Sequence, residues 1–319
     1  MHAGFRMAGW KPGGMAGRGA AAVLAAGLLA ACSGGGGSFV AAGAAPVVPP
    51  TSETPVDPVV PQAPVTQTFT VTLDSLSSAF ALGSSAGNGS LGAPAGTSGT
   101  LAYDVQDGMI VAARGTIAGV ALDIDTRDGD TITVANGVVT AEDAATGALV
   151  SFQQPGTTGF MHQTFGLWEQ DPNAGQVGIA IGGTPTPSAA MPSPGTLTAT
   201  YTGKARGYSS FSGTISTTTA DMTLTTDFAT ATFATTGTMR EGIDFTTPQR
   251  APEHDLNGRL TVTGAGLAGR VRSGQGEVST VGRVSVTGSF FGPNAEEVGG
   301  TFTNNGEAGQ FFGAFGGGR

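Results

Sequence analysis

Beyond the N-terminal leader the chain has two histidines, and one of them lies among residues suited to ligand chemistry. His162 stands in Met161-His162-Gln163-Thr164-Phe165-Gly166-Leu167-Trp168. An imidazole beside a thioether and aromatic rings can ligate haem iron, with Trp168 lining the same ligand-binding site. The plainer alternative is a loop histidine packed near a tryptophan. His254, in Pro252-Glu253-His254-Asp255, reads as a solvated loop residue. Asp123, Asp125, Asp128 and Asp130 form D-x-D-x-x-D-x-D around a turn. Calcium favours such carboxylates, but the spacing departs from the helix-flanked calcium loop. On the alternative reading Asp128-Gly129 is simply a hairpin turn, and no metal ligands are assigned. No catalytic residues are assigned either, and the chain has no H-E-x-x-H. Gly264-Ala265-Gly266-Leu267-Ala268-Gly269 satisfies G-x-G-x-x-G, but it lies between short strands and opens no helix, which a dinucleotide site requires.

The single cysteine, Cys32, carries a different chemistry. Residues 1–18 hold Arg6, Lys11 and Arg18 without an acidic partner, and residues 19–31 read GAAAVLAAGLLAA. This apolar run has the length of a signal-peptide core and is too short for a spanning anchor. Leu29-Ala30-Ala31-Cys32 resembles the bacterial lipobox, in which the thiol is alkylated by diacylglycerol, cleavage frees the amine, and the amine is acylated. Two or more acyl chains hold a protein on a membrane where one does not. Residues 1–31 are therefore expected to be a lipoprotein signal peptide, with Met1, Met7 or Met15 as the start. Ser33 in place of Asp implies passage to the outer membrane, by resemblance to Gram-negative lipoproteins.

Residues 32–67 form the expected tether. Ser33-Gly34-Gly35-Gly36-Gly37-Ser38 is a flexible leash, and the prolines from Pro46 to Pro64 suit an extended spacer. About 20 such residues would span roughly 60 Å. Loss of the three leader cations takes the formal charge from −9 to −12 (−9 − 3 = −12) and leaves Lys204 as the only lysine. Such a surface repels nucleic acid, so a nucleic-acid partner is excluded.

The elements that must position these residues are strands. Helix formers are scarce after residue 45, while Thr, Val and Phe recur in short runs broken by Gly. Thr68–Leu73 alternates apolar and polar, and strands are expected at 99–106, 109–117, 121–126, 131–134, 138–141 and 148–152. Asp107-Gly108, Asp128-Gly129 and Asn136-Gly137 suit hairpin turns, and residues 81–98 read as a loop. Pro185, Pro187, Pro192 and Pro194 mark a break that divides a β-rich handle subdomain (68–194) from residues 195–319. Nine strands are read beyond it, at 197–203, 212–217, 221–227, 229–239, 259–264, 267–272, 283–291, 297–303 and 309–315. They suit an eight-stranded antiparallel up-and-down β-barrel, which leaves no open edge. Its outward Thr and Ser argue against a transmembrane barrel. The fold class is all-β.

Gly288-Ser289-Phe290-Phe291-Gly292-Pro293-Asn294-Ala295-Glu296-Glu297-Val298-Gly299-Gly300-Thr301-Phe302, followed by Gln310-Phe311-Phe312-Gly313-Ala314-Phe315, resembles the closing strands of the transferrin-binding protein B-like surface lipoproteins. Tyr201-Thr202-Gly203 resembles that family's entry into the barrel. Without any family, Phe290 and Phe302 can plug a barrel, Gly299-Gly300 permits close approach, and Asn294 with Glu297 suits a capped helical turn. The resemblance implies a non-enzymatic, surface-exposed outer-membrane lipoprotein of iron or haem acquisition. Haem is then a candidate cargo, and a TonB-dependent outer-membrane receptor a candidate partner. Where two-lobed members bind transferrin through the first handle, this chain has one lobe; single-lobe relatives that bind haem, haemoglobin or other host factors are closer. The rival readings are a structural or adhesive lipoprotein without small-molecule cargo, and a lipid-anchored hydrolase.

Overall fold

The computed structural model describes residues 66–82, 89–156, 160–170, 174–211, 214–242, 247–274, 283–306 and 309–319. The signal peptide, Cys32, the tether to residue 65, part of the loop read at 81–98, and residues 212–213 lie outside the described residues. The first half contributes β1 (Thr66–Leu82), β2 (Gly89–Leu91), β3 (Ala95–Gln106), β4 (Met109–Ile117), β5 (Val120–Asp125), β6 (Thr131–Ala135), β7 (Val138–Glu142), β8 (Leu149–Gln153), β9 (Gln163–Glu169) and β10 (Ala174–Gly183). The second half contributes β11 (Ala199–Phe211), β12 (Thr214–Thr226), β13 (Thr230–Gly242), β14 (Gln249–Arg250), β15 (Leu256–Thr263), β16 (Gly266–Ser273), β17 (Arg283–Phe291), β18 (Glu297–Gly306) and β19 (Gly309–Gly318).

The first ten strands make one sheet in the order β5-β4-β3-β1-β10-β9-β8-β7-β6, with β2 beside β1. Asp107-Gly108 and Asn136-Gly137 turn the β3–β4 and β6–β7 hairpins with left-handed φ at all four residues (51°, 78°, 52° and 74°). Asp128-Gly129 does not make a hairpin. It closes a 3-10 turn between β5 and β6, which lie at opposite edges of the sheet order. Two strands that periodicity does not reveal, β9 and β10, sit at the centre. Every residue of Gln163–Glu169 is buried, because both faces are covered, and a strand buried on both faces carries no alternation.

The second sheet runs β12-β11-β19-β18-β17-β16-β15-β13 and closes through β12–β13, giving an eight-stranded antiparallel barrel with β14 beside β13. The stretch read as two strands at 212–217 and 221–227 is the single strand β12. A register shift against β13 between Thr219 and Asp221 does not end the pairing, and burial alternates straight through it, with Thr218, Ala220 and Met222 all buried. Beyond that shift Ala220, Met222 and Leu224 point inward while Asp221, Thr223 and Thr225 are exposed. An apolar interior with a Thr-rich exterior is the reverse of a transmembrane barrel. Tyr201, Phe228, Phe233, Phe290, Phe302, Phe311 and Phe315 fill the interior, so the barrel is a packed solid. The Tyr201 hydroxyl donates to the Ala295 carbonyl at 2.6 Å, tying β11 to the turn after β17.

That turn differs from the capped helix expected for Asn294–Glu297. Residues 292–295 form a turn, and the carboxylate of Glu296, not Glu297, accepts from the Asn294 N–H at 2.8 Å. Glu297 opens β18, and its side chain reaches across to the handle.

Candidate functional site

The two sheets meet through β9 and β10. Alternate residues of these strands serve different partners: Trp168 and Ala180 enter the handle core, while Phe165, Leu167, Val177, Ile179 and Ile181 meet Tyr208, Phe312 and Ala314 of the barrel. Around this apolar contact several buried polar groups find partners on the other sheet, while Gln163 Oε1 has none. The Tyr208 hydroxyl donates to Glu169 Oε1 at 3.0 Å, and Arg206 Nη1 donates to Ser151 Oγ at 3.1 Å. Gln163 Nε2 donates to the carbonyls of Val298 (2.9 Å) and Gly317 (3.3 Å). Glu297 accepts the backbone N–H groups of Met161 (2.6 Å) and His162 (3.2 Å).

Burial shifts the proton affinities at this junction. Desolvation raises the Glu169 carboxyl against the lowering effect of Tyr208, and desolvation raises Glu297 against the Met161 and His162 N–H groups. The Arg206 guanidinium is lowered to about 10, first by burial, with Glu241 opposing. Close approach is equally built in. A Cβ on Gly299 would overlap Gln163 Oε1 and come within 2.5 Å of Ile181 Cδ1.

The residues singled out for ligand chemistry do not share a site. Trp168 is 0% exposed, with its indole N–H donating to Ser75 Oγ at 3.2 Å, so it packs the handle and offers no surface to a ligand. His162 is half-buried at the junction, its ring so close over Gly292 that a Cβ there would stand 2.6 Å from His162 Cδ2. His254 is a buried residue, not the solvated one expected: it is 1% exposed and edge-on to Phe311 with ring centroids 4.9 Å apart. Burial, aided by Arg240 and opposed by Glu253, lowers its pKa to about 4.

The aspartate cluster is committed to arginine. Arg114 bridges Asp104, Asp123 and Asp125, and Arg127 also pairs with Asp125. Asp130 accepts the backbone N–H groups of Asp125 (2.8 Å) and Ala144 (2.9 Å). Among the described residues no group of acidic, histidine or cysteine side chains is disposed to hold a metal ion.

The open space lies along the seam. A groove of about 520 Å³ is lined by Asp74, Ser75, Leu76, Gly96, Thr97 and Ser98 of the handle and by Thr287 and Thr301 of the barrel. A hollow of about 200 Å³ continues it past Ile181, Phe291 and Gly299. Hydroxyls and one carboxylate can hydrogen-bond a polar ligand, but the lining brings together no acid–base pair. Sequence reasoning did not find the junction residues Glu169, Arg206, Tyr208 and Gln163. The one signal for them is a charged residue closing an apolar run, as at Glu169 after Phe165-Gly166-Leu167-Trp168.

A family model described as the C-lobe and N-lobe β-barrels of Tf-binding protein B matches residues 191–319. No curated protein matches the chain. Solved structures with similar folds include a point mutant of transferrin binding protein B from Haemophilus parasuis Hp5. It shows 10% identity and a TM-score of 0.41 over 80% of this chain and 76% of that one. The haemoglobin receptor HpuA from Kingella denitrificans shows 14% identity and a TM-score of 0.40 over 79% and 86%. The N-lobe of lactoferrin binding protein B of Moraxella bovis shows 13% and 0.34 over 78% and 98%.

Proposed function

With residues 191–319 belonging to the β-barrel family of transferrin-binding protein B, we propose that the chain is a lipid-anchored outer-membrane protein that captures a host iron protein or haem. Members of this family are binding proteins and not enzymes. Acylation at Cys32 anchors the chain, residues 33–65 tether it, and a TonB-dependent receptor in the same membrane takes the cargo. The observation that carries this reading is the filled barrel bearing the family's closing strands. Aromatic side chains occupy its interior, so any ligand is met on the outer surface, the seam groove or the strand connections.

If haem is the cargo, His162 is the residue to meet it, since His254 is buried and His162 is partly exposed. The test has two independent arms. Mass spectrometry of the protein from bacterial membranes should find diacylglycerol and acyl groups on Cys32; an unacylated N-terminus refutes the anchor. Immobilised chain should retain haemoglobin, transferrin or haem, the last with a Soret shift lost in His162→Ala. Retention of none of the three, with cell-surface adhesion intact, refutes iron capture in favour of the adhesive reading.

A further inference from the structure

Arginines gather on one wall of the barrel. Leu256, Leu260, Leu267, Val271, Val284 and Val286 turn into the barrel core, so the residues between them on β15, β16 and β17 face outward. Arg259, Arg270, Arg272 and Arg283 stand at these positions, all exposed. Register joins them in two pairs. Arg272 lies directly opposite Arg283, and the flanking pairs Asn257–Arg272 and Leu260–Gly269 set Arg259 opposite Arg270. Like charges so placed, with Cβ atoms about 5 Å apart, repel one another. The ion pairs of the described residues engage Arg114, Arg127, Lys204, Arg240 and Arg250, and none of these four. Arg259 donates to Thr230 Oγ1 at 3.2 Å, a neutral partner. A chain with a net charge of −9 thus sets four cations side by side, without a carboxylate partner among the described residues.

We infer that this wall binds a phosphorylated sugar through two phosphate monoesters, one cradled by each arginine pair. The inference is independent of iron capture and of the seam groove. A guanidinium is a planar fork that matches two phosphate oxygens at once. A phosphate monoester carries nearly two negative charges, so one group neutralises one pair, whereas a sulfate ester would leave half of its charge standing. The two pairs are offset by one strand and two residues. At about 4.8 Å per strand and about 3.3 Å per residue their centres lie roughly 8 Å apart, a distance that a six-carbon sugar phosphorylated at both ends can span. Thr232 lies opposite Arg259 and Ser285 opposite Arg270, where their hydroxyls can meet those of a sugar. The exposed residues of the three strands are Arg, Asn, Thr, Ala and Ser. They offer no aromatic ring to stack a nucleobase and no large apolar anchor for a protein partner. A sugar phosphate needs neither.

The test is calorimetric titration of the full chain at low salt with fructose 1,6-bisphosphate as the probe. It should bind, and fructose 6-phosphate should bind at least about tenfold more weakly, because two linked groups act together. Arg259→Gln with Arg270→Gln, or Arg272→Gln with Arg283→Gln, should reduce the bisphosphate to the affinity of the monophosphate. Both double variants should unfold at the parent's temperature or slightly above it, since each removes a repulsion. Lys204→Gln, on β11 and paired with Asp221, should leave binding unchanged. In the parent itself, the Nε–H resonances of the four wall arginines should shift with the bisphosphate while those of the other arginines stay in place, which decides the matter even where a variant fails to fold. Equal binding of the two sugar phosphates, binding of neither, binding that survives both double variants, or shifts confined to other arginines overturns the site. Tighter binding of a sulfated disaccharide assigns the wall to sulfated glycans, and tighter binding of a single-stranded oligonucleotide assigns it to nucleic acid. Either result overturns the sugar phosphate as ligand.

Discussion

Gly299→Ala tests whether the handle and the barrel are held in one register by backbone proximity. Gly299 does not adopt left-handed φ, so alanine is not strained in its own backbone, and the contact alone decides the outcome. The new methyl would overlap Gln163 Oε1, reach 2.5 Å from Ile181 Cδ1 and stand 2.9 Å from the Phe315 carbonyl oxygen. That carbonyl belongs to β19, paired with β18, and cannot withdraw. Gln163 therefore yields, losing its bonds to Val298 and Gly317. Two hydrogen bonds at about 1 kcal/mol each, plus a buried amide left partly unsatisfied, make a loss of about 2–4 kcal/mol. The lower unfolded-chain entropy of alanine offsets only about 0.4–1 kcal/mol, so destabilisation wins. Thermal unfolding should show a fall of roughly 2–14 °C for a domain of this size. In a Gln163→Ala background the first overlap is gone, and the cost of Gly299→Ala should shrink by more than about 1 kcal/mol. Effects that add to within about 0.5 kcal/mol, or a Gly299→Ala protein as stable as the parent, would refute the steric argument.

Three further outcomes are expected. Trp168→Phe should cost about 1–2 kcal/mol in urea unfolding through the lost bond to Ser75, and ligand affinity should stay unchanged; a changed affinity would place Trp168 at a surface it does not reach. Glu169, raised by burial, adds stability that is fully present below the ordinary carboxylate range near pH 4.3 and is lost as pH climbs through its folded value. Glu169→Gln should accordingly flatten the decline in unfolding free energy above that range, and an unaltered slope would be decisive against it. His254, lowered to about 4 by burial, adds stability present above pH 6.5 that is lost as pH falls toward 4. Its ring protons in NMR should titrate near pH 4, and a midpoint near 6.5 would show the ring to be solvated.

The order of elements was legible wherever one face of a strand meets water. Thr68–Leu73, the β3–β4 and β6–β7 turns and the closing hairpin of the barrel all announce themselves, because alternation and left-handed turn residues are local consequences of sequence. Phe290 and Phe302 were readable as barrel filling for the same reason. What the tertiary structure alone decided are the places where distant segments cover each other. Gln163–Glu169 lost its alternation because the handle core takes one face and the barrel the other. Glu296 and Glu297 are adjacent and identical, yet one caps its own turn and the other receives Met161 and His162 from 136 and 135 residues away. His254 looked exposed by its polar neighbours, but the fold lays it against Phe311. Local propensity acts over a few residues. Burial is a property of which surfaces meet, and no spacing within one segment records what will be packed against it.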